Sequence, residues 1–173
     1  MKENKKHYCW HYSSPSAFSD ITLVSDEEYL TGLYFDGSND QGKHDDVKEE
    51  KMLPVFEETI RWLDRYFEGK DPGFVPKYRI ENLTPFREEV IEEMLKIPYG
   101  ETTSYGTIAK TLAEKHHIQK MSAQAVGNAV GWNPICLIIP CHRVIGTDGS
   151  LTGYGGGLDN KIALLKLEKG ERQ

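Results

Sequence analysis

The chain has 173 residues, 38% hydrophobic and 28% charged, with a formal net charge of −6, which is the make-up of a soluble globular protein with one large or two small domains. No run approaches the roughly 20 apolar residues of a membrane helix, and the charged start MKENKKHYCWHY has no apolar stretch behind it, so neither a membrane span nor a secretory signal is expected. Three cysteines (Cys9, Cys136 and Cys141) make no even-numbered disulfide framework and point to a reducing, cytoplasmic setting with free thiols.

In chain order, residues 18–35 read as strands, FSDITLVSD and EYLTGLYFDG each ending in Asp and Gly turn residues. The polar stretch 36–51, with Val47 as its one aliphatic residue, reads as a loop. A helix follows from about Leu53 to Glu68, with Phe56, Ile60, Leu63 and Phe67 as its apolar stripe and Gly69 as its stop. Residues 69–83 carry two prolines and two glycines and read as a linker, dividing the chain into 1–83 and 84–173. The second part opens on Thr84 as helix cap and Pro85 at the first helical position, with Val90, Ile91, Met94 and Leu95 facing inward.

Two short helices come next, from about Tyr105 to Glu114 and from about Ala123 to Val130 behind Ser122. The second sets Ala125, Val126, Ala129 and Val130 against an opposite face of Gln124, Gly127, Asn128 and Gly131. Glycine costs about 1 kcal/mol against alanine in a helix. Two on one face suggest that another surface approaches this backbone closely, and the pair of helices resembles a helix-turn-helix. ICLIIPCHRVIG reads as a strand entering a turn, SLTGYGGGLD as a glycine-rich loop, and Leu158 to Glu168 as a last helix with Leu158, Ile162 and Leu165 inward.

The charge is uneven. Residues 1–83 hold 11 Lys and Arg against 17 Asp and Glu, residues 84–173 hold ten of each, and within 104–147 Lys110, Lys115, Lys120 and Arg143 face Glu114 alone. That local basicity suits modest, salt-sensitive phosphate contact.

Cys141 sits between Pro140 and His142, and a thiolate there could be favoured by His142 and Arg143; the alternative is a small buried hydrophobe. On a regular strand Cys141 and His142 would point apart, so they cooperate only if a turn or a water joins them. Cys136, Cys141 and His142 lack the paired spacing of a structural zinc site, and no metal is expected. Glu168, three residues after Leu165 and seven after Lys161, lies near the apolar face of the last helix. It is either solvated or buried against a partner such as His142.

IPCHRVIG, with NPI just upstream, resembles the active-site segment of the O6-alkylguanine-DNA alkyltransferases (methylated-DNA–protein-cysteine methyltransferases). The same family is matched in order by TPFREEVIEEMLKIPYGETTSYGTIA, AQAVGNAVGWNP, the GYGGGL loop and LLKLE, and more loosely by YCWHY, LTGLYFDG and LDRYFEGKDPGF. The resemblance implies an α/β (α+β) fold: a small N-terminal ribonuclease-H-like α/β domain, then a mostly helical, winged-helix-like DNA-binding domain carrying the active cysteine. It implies direct-reversal DNA repair, with irreversible single-turnover transfer of a methyl or other alkyl group from O6-alkylguanine in double-stranded DNA to Cys141, and O4-alkylthymine as a second candidate lesion. His142 would take the thiol proton, Glu168 would orient His142, Tyr105 would protonate the departing guanine and Asn133 would fix the turn. Gln124, Gly127, Gly131, Arg143, Val144, Tyr154, Gly155 and Gly156 would contact DNA or line the base pocket. No cofactor is implied, the base is flipped out of the duplex, and the protein acts as a monomer. Against the family, Gln124 replaces a common arginine, so weaker and more salt-tolerant DNA binding is expected, while Cys136 in place of a common Pro or Ser and Gly155 in place of an occasional Ser bear on pocket width and inhibitor sensitivity. A lesion-binding protein without transfer, an alkylation-sensing transcriptional regulator, and a thiol redox enzyme or hydrolase are the alternatives. The first is disfavoured by the presence of Cys141.

Overall fold

The computed structural model describes residues 6–43, 48–151 and 154–171. Four strands, β1 His7–Tyr12, β2 Ile21–Ser25, β3 Leu30–Phe35 and β4 Lys48–Glu50, form one sheet in the order β3–β2–β1–β4. The neighbours β1/β2 and β2/β3 are antiparallel, while β4 joins β1 in parallel. β2 and β3 are buried at every position, which is why their sequences run apolar instead of alternating. β1 escapes the pattern reading because Tyr8, Trp10 and Tyr12 are interleaved with His7, Cys9 and His11. Within the polar stretch read as a loop, Asn39–Lys43 form a 3-10 helix and Lys48–Glu50 form β4, while Val47 lies outside the described residues.

The outer edge of β3 is covered by later chain. Leu30 bridges Tyr78, so the 69–83 connection runs along the sheet, and Leu33 bridges Ile135. Leu33 N–H donates to Pro134 O (3.0 Å) and Cys136 N–H donates to Leu33 O (3.1 Å). Pairing this edge satisfies backbone groups that would otherwise be orphaned and fixes the segment leading to Cys141.

Helix α1, Pro54–Phe67, begins with Pro54 in the first turn, where a missing N–H is harmless, and gives way at Gly69 (φ +82°). Its buried face is Val55, Phe56, Thr59, Trp62, Leu63 and Tyr66, rotated from the expected stripe, so Ile60 and Phe67 are half-buried. Each large apolar side chain so buried stabilises by about 1.5–3 kcal/mol.

The second half is helical: α2 Pro85–Leu95, α3 Tyr105–Lys115, α4 Ala123–Gly131 and α5 Leu158–Glu168. Thr84, Ser104 and Ser122 cap α2, α3 and α4, each accepting from a backbone N–H three residues on. Val90, Ile91 and Met94 are buried as expected, but Leu95 is exposed. β5 Thr103–Ser104 pairs in parallel with β6 Val144–Ile145. Two sequence readings are corrected here. Residues 135–143 are not a strand: after the bridge at Ile135 the chain turns through Leu137 in the left-handed region (φ +69°) into a 3-10 turn, Cys141–Arg143. In α5 the inward residues are Asn160, Lys161, Ala163, Leu164 and Glu168, whereas Leu158 is exposed and Ile162 and Leu165 are half-buried.

Candidate functional site

The site is built on the turn after α4. Asn133, 1% exposed, clamps it from within: its Nδ2 donates to Ile139 O (2.9 Å) and its Oδ1 accepts from Ile135 N–H (3.0 Å). Those bonds span the stretch that contains left-handed Leu137, a conformation that costs a branched residue roughly 1–2 kcal/mol. The clamp sets Cys141 at the start of the 3-10 turn, so Cys141 and His142 do not diverge as strand neighbours would.

His142 is fully buried and its Nε2 bonds Glu168 Oε2. Glu168 also accepts from Tyr66 Oη (2.6 Å), Arg143 Nε (2.7 Å) and Gly100 N–H (3.0 Å). Burial opposes a charge on this carboxyl. The hydrogen bond and charge of His142, the Arg143 guanidinium and the Gly100 amide outweigh it and hold the pKa down to about 2. A carboxylate can only accept, so the His142 hydrogen sits on Nε2 and the lone pair on Nδ1. Burial lowers the His142 pKa, with Arg143 and Lys161 adding to the effect and Glu168 opposing it. The imidazole is therefore neutral near pH 7 and holds a free base nitrogen: Nδ1 is buried and makes no hydrogen bond among the described residues.

A cavity of about 10 Å³ opens beside Cys141, lined by Asp40, Tyr105, Val130, Gly131, Asn133, Cys141, Tyr154 and Gly155. Burial, then Cys141, pushes the Tyr105 hydroxyl pKa upward, so it keeps its proton. The Tyr154 hydroxyl is buried with no hydrogen-bond partner among the described residues. Gly155 and Gly156 do not need left-handed backbone; they are glycines because neighbours crowd them. A Cβ on Gly155 would lie 2.3 Å from Asp40 Oδ1, and one on Gly156 would lie 2.7 Å from the Tyr154 ring.

The expected residues therefore divide. Cys141, Tyr105, Asn133, Tyr154, Gly155 and Gly131 meet at one cavity, and His142, the next residue in the chain, is bonded to Glu168. Val144 is fully buried, with its carbonyl accepting from Lys161 Nζ (2.8 Å), and does not line the cavity. Arg143 is corrected: it is not a surface cation for DNA but is buried on Glu168, with Nη1 donating to Ile97 O (2.9 Å). On α4, Gln124, Asn128 and Gly131 are exposed and Gly127 is half-buried over the Tyr105 ring. A Cβ on Gly131 would meet nothing within 4 Å, so the free protein has no need of glycine there. Gly131→Leu should leave the thermal midpoint at or above wild type, read by calorimetry.

Sequence reasoning missed three residues. Tyr66 is a polar tip on the buried face of α1, three residues after Leu63. Lys161 is fully buried, seven residues before Glu168, at the same spacing that flagged Glu168. Asp40 comes from the stretch read as a loop. Among the described residues no cluster of three or more His, Cys, Asp or Glu could hold a metal ion, and no helix is long and apolar enough to cross a membrane.

Comparison with known proteins places these features. The family described as 6-O-methylguanine DNA methyltransferase, DNA binding domain, matches residues 85–170, and its ribonuclease-like domain matches residues 8–74. The chain is 46% identical over 115 residues to a methylated-DNA–protein-cysteine methyltransferase of Mycobacterium leprae, a match spanning 66% of each protein. It is 41% identical over 162 residues to one of Methanosarcina mazei, covering 92% of this chain and 97% of that one. Among solved structures it resembles Mycobacterium tuberculosis OGT in complex with DNA at 36% identity and a TM-score of 0.78, covering 95% of this chain and 93% of that one.

Proposed function

Because the chain belongs to the 6-O-methylguanine DNA methyltransferase family, we propose that it repairs DNA directly, transferring an alkyl group from O6 of guanine in duplex DNA irreversibly onto Cys141. The observation that carries this reading is a buried cysteine on a clamped turn, followed by a neutral histidine whose other nitrogen is fixed by an ionised carboxylate.

The thiol proton passes to His142 Nδ1, directly or through one water, and the thiolate attacks the alkyl carbon in line. The S–C bond forms as the C–O6 bond breaks, the electron pair leaves on guanine, Tyr105 gives its proton to that base, and the proton held on His142 passes through solvent to restore the tyrosine. A thioether is a poor leaving group, so each chain acts once. With duplex in tenfold excess, repair should stop at one alkyl group per protein; continued turnover would refute the proposal.

The target atom lies inside the duplex, and the free cavity holds little more than a water. The lesion base is therefore flipped out and the pocket widens to admit it, at a cost of a few kcal/mol. α3 and α4 serve as the helix-turn-helix, with the bare face of Gln124, Gly127 and Gly131 against the minor groove. Arg87 stacked on Trp132 (4.1 Å) supplies a cation by α4 that replaces buried Arg143. The N-terminal part, 1–83, supports the acceptor part, 84–173, through Tyr66 and the β3 edge. A cytoplasmic monomer suffices for this chemistry.

The pH dependence follows from His142. Its folded pKa lies below the ordinary 6.5, so the base is already free at neutral pH. Single-turnover rates should be level on lowering the pH from 8 to 7 and fall only on the acid side of 6.5. A rate already falling tenfold per unit between pH 8 and 7 would contradict the assignment.

A further inference from the structure

We propose that Asp40, from the 3-10 helix of the N-terminal part, is a specificity-determining residue whose carboxylate walls the acceptor cavity and restricts it to small alkyl groups. This inference rests on the proposed alkyl transfer to Cys141 and adds a residue from outside the acceptor domain. Asp40 is 4% exposed although it belongs to a polar stretch. Its position is held twice: its N–H donates to Gly155 O (3.3 Å), and its Oδ2 accepts from Cys136 Sγ (3.2 Å). Cys136 also neighbours Cys141, which with burial and Asp40 raises the Cys136 thiol pKa. The carboxylate thus stands one side chain from the acceptor sulfur, on the cavity that Cys141 and Tyr154 also line.

The alkyl carbon must lie against Cys141 Sγ in order to react, so anything larger than a methyl extends into the space Asp40 bounds. A buried side chain anchored both through its backbone N–H and through its carboxyl group yields poorly to a larger group. The fit with Gly155 is as tight: Asp40 Oδ1 lies 2.3 Å from where a Gly155 Cβ would be. Asp40 and Gly155 therefore form one wall, and a change in either is felt through the other.

The test compares single-turnover rates on two duplexes differing only in O6-methylguanine or O6-benzylguanine. Asp40→Ala should raise the benzyl-to-methyl rate ratio by about tenfold or more, the discrimination one misfit group produces in a pocket. Asp40→Asn, of the same shape, should keep the wild-type ratio. If Asp40→Ala does not fold, Asp40→Ser carries the same expectation. A ratio within about twofold of wild type in the truncated variant, or an Asn variant behaving like Ala, would overturn the steric wall. Independently, Gly155→Ala should lower the thermal midpoint, and adding Asp40→Ala should restore at least half the loss; additive losses would contradict the contact. Wild-type protein that transfers no methyl group would instead refute the proposed function, a separate outcome from an unchanged ratio.

Discussion

Glu168→Gln should destabilise the protein by about 3–5 kcal/mol, the cost of breaking a buried ion pair, and slow alkyl transfer by roughly a thousandfold. The substitution is nearly isosteric, so the effect isolates charge and hydrogen-bond polarity. Four donors converge on the carboxylate, from Tyr66, Gly100, His142 and Arg143. An amide presents an NH₂ group to some of them and leaves the buried Arg143 guanidinium without a counter-charge. An NH₂ facing Nε2 also favours the other imidazole tautomer, with hydrogen on Nδ1, where a lone pair is required.

The pH sign follows. The folded carboxyl sits at about 2 against an ordinary 4.5, so the stability it contributes is complete above about 4.5 and is lost as the pH falls towards 2. Wild type should lose stability across that window, and Glu168→Gln should lose less. Urea unfolding at pH 7, 4.5 and 3 checks both statements; equal slopes for the two proteins would contradict the assignment.

Asn133→Ala should cost about 3 kcal/mol and abolish measurable transfer. The side chain satisfies one carbonyl and one N–H, on Ile139 and Ile135, both residues fully buried. Each orphaned buried group costs about 1–3 kcal/mol. The same bonds hold the turn through Leu137, so their loss frees Cys141 from its place before His142. Equilibrium denaturation gives the stability and a single-turnover assay the activity. Gln124→Ala, on the exposed face of α4, is the control expected to leave stability within about 0.5 kcal/mol. Full activity in a destabilised Asn133→Ala would mean that the clamp supports the fold but not the acceptor.

The legible parts of the sequence were those written in local chemistry. The caps at Thr84, Ser104 and Ser122 and the proline and glycine punctuation mark helices through side chain–backbone bonds that the sequence itself contains. A carboxylate near an apolar helix face marks Glu168, and it is buried against His142. What stayed hidden depends on distant chain. Residues 135–143 are apolar enough for a strand, but Asn133 and the β3 edge draw off their hydrogen bonds and bend them into turns. Arg143 reads as a surface cation until Glu168 is placed beside it, 25 residues away. Tyr66 and Asp40 belong to the half of the chain that carries no chemical motif, and packing alone brings them to the site. In α5 the inward face is set by buried Lys161 and Asn160, whose polar atoms find partners at Val144 and Gly156. A reading that sends only apolar residues inward turns that helix the wrong way.

The most direct test of the central claim is intact and peptide mass spectrometry after mixing the protein with a duplex carrying one O6-methylguanine, with Cys141→Ser alongside. One methyl group per chain is expected, on the peptide containing Cys141, and none in the variant. Unmodified protein with the duplex still bound, or a methyl group carried by Cys136 instead, would contradict it.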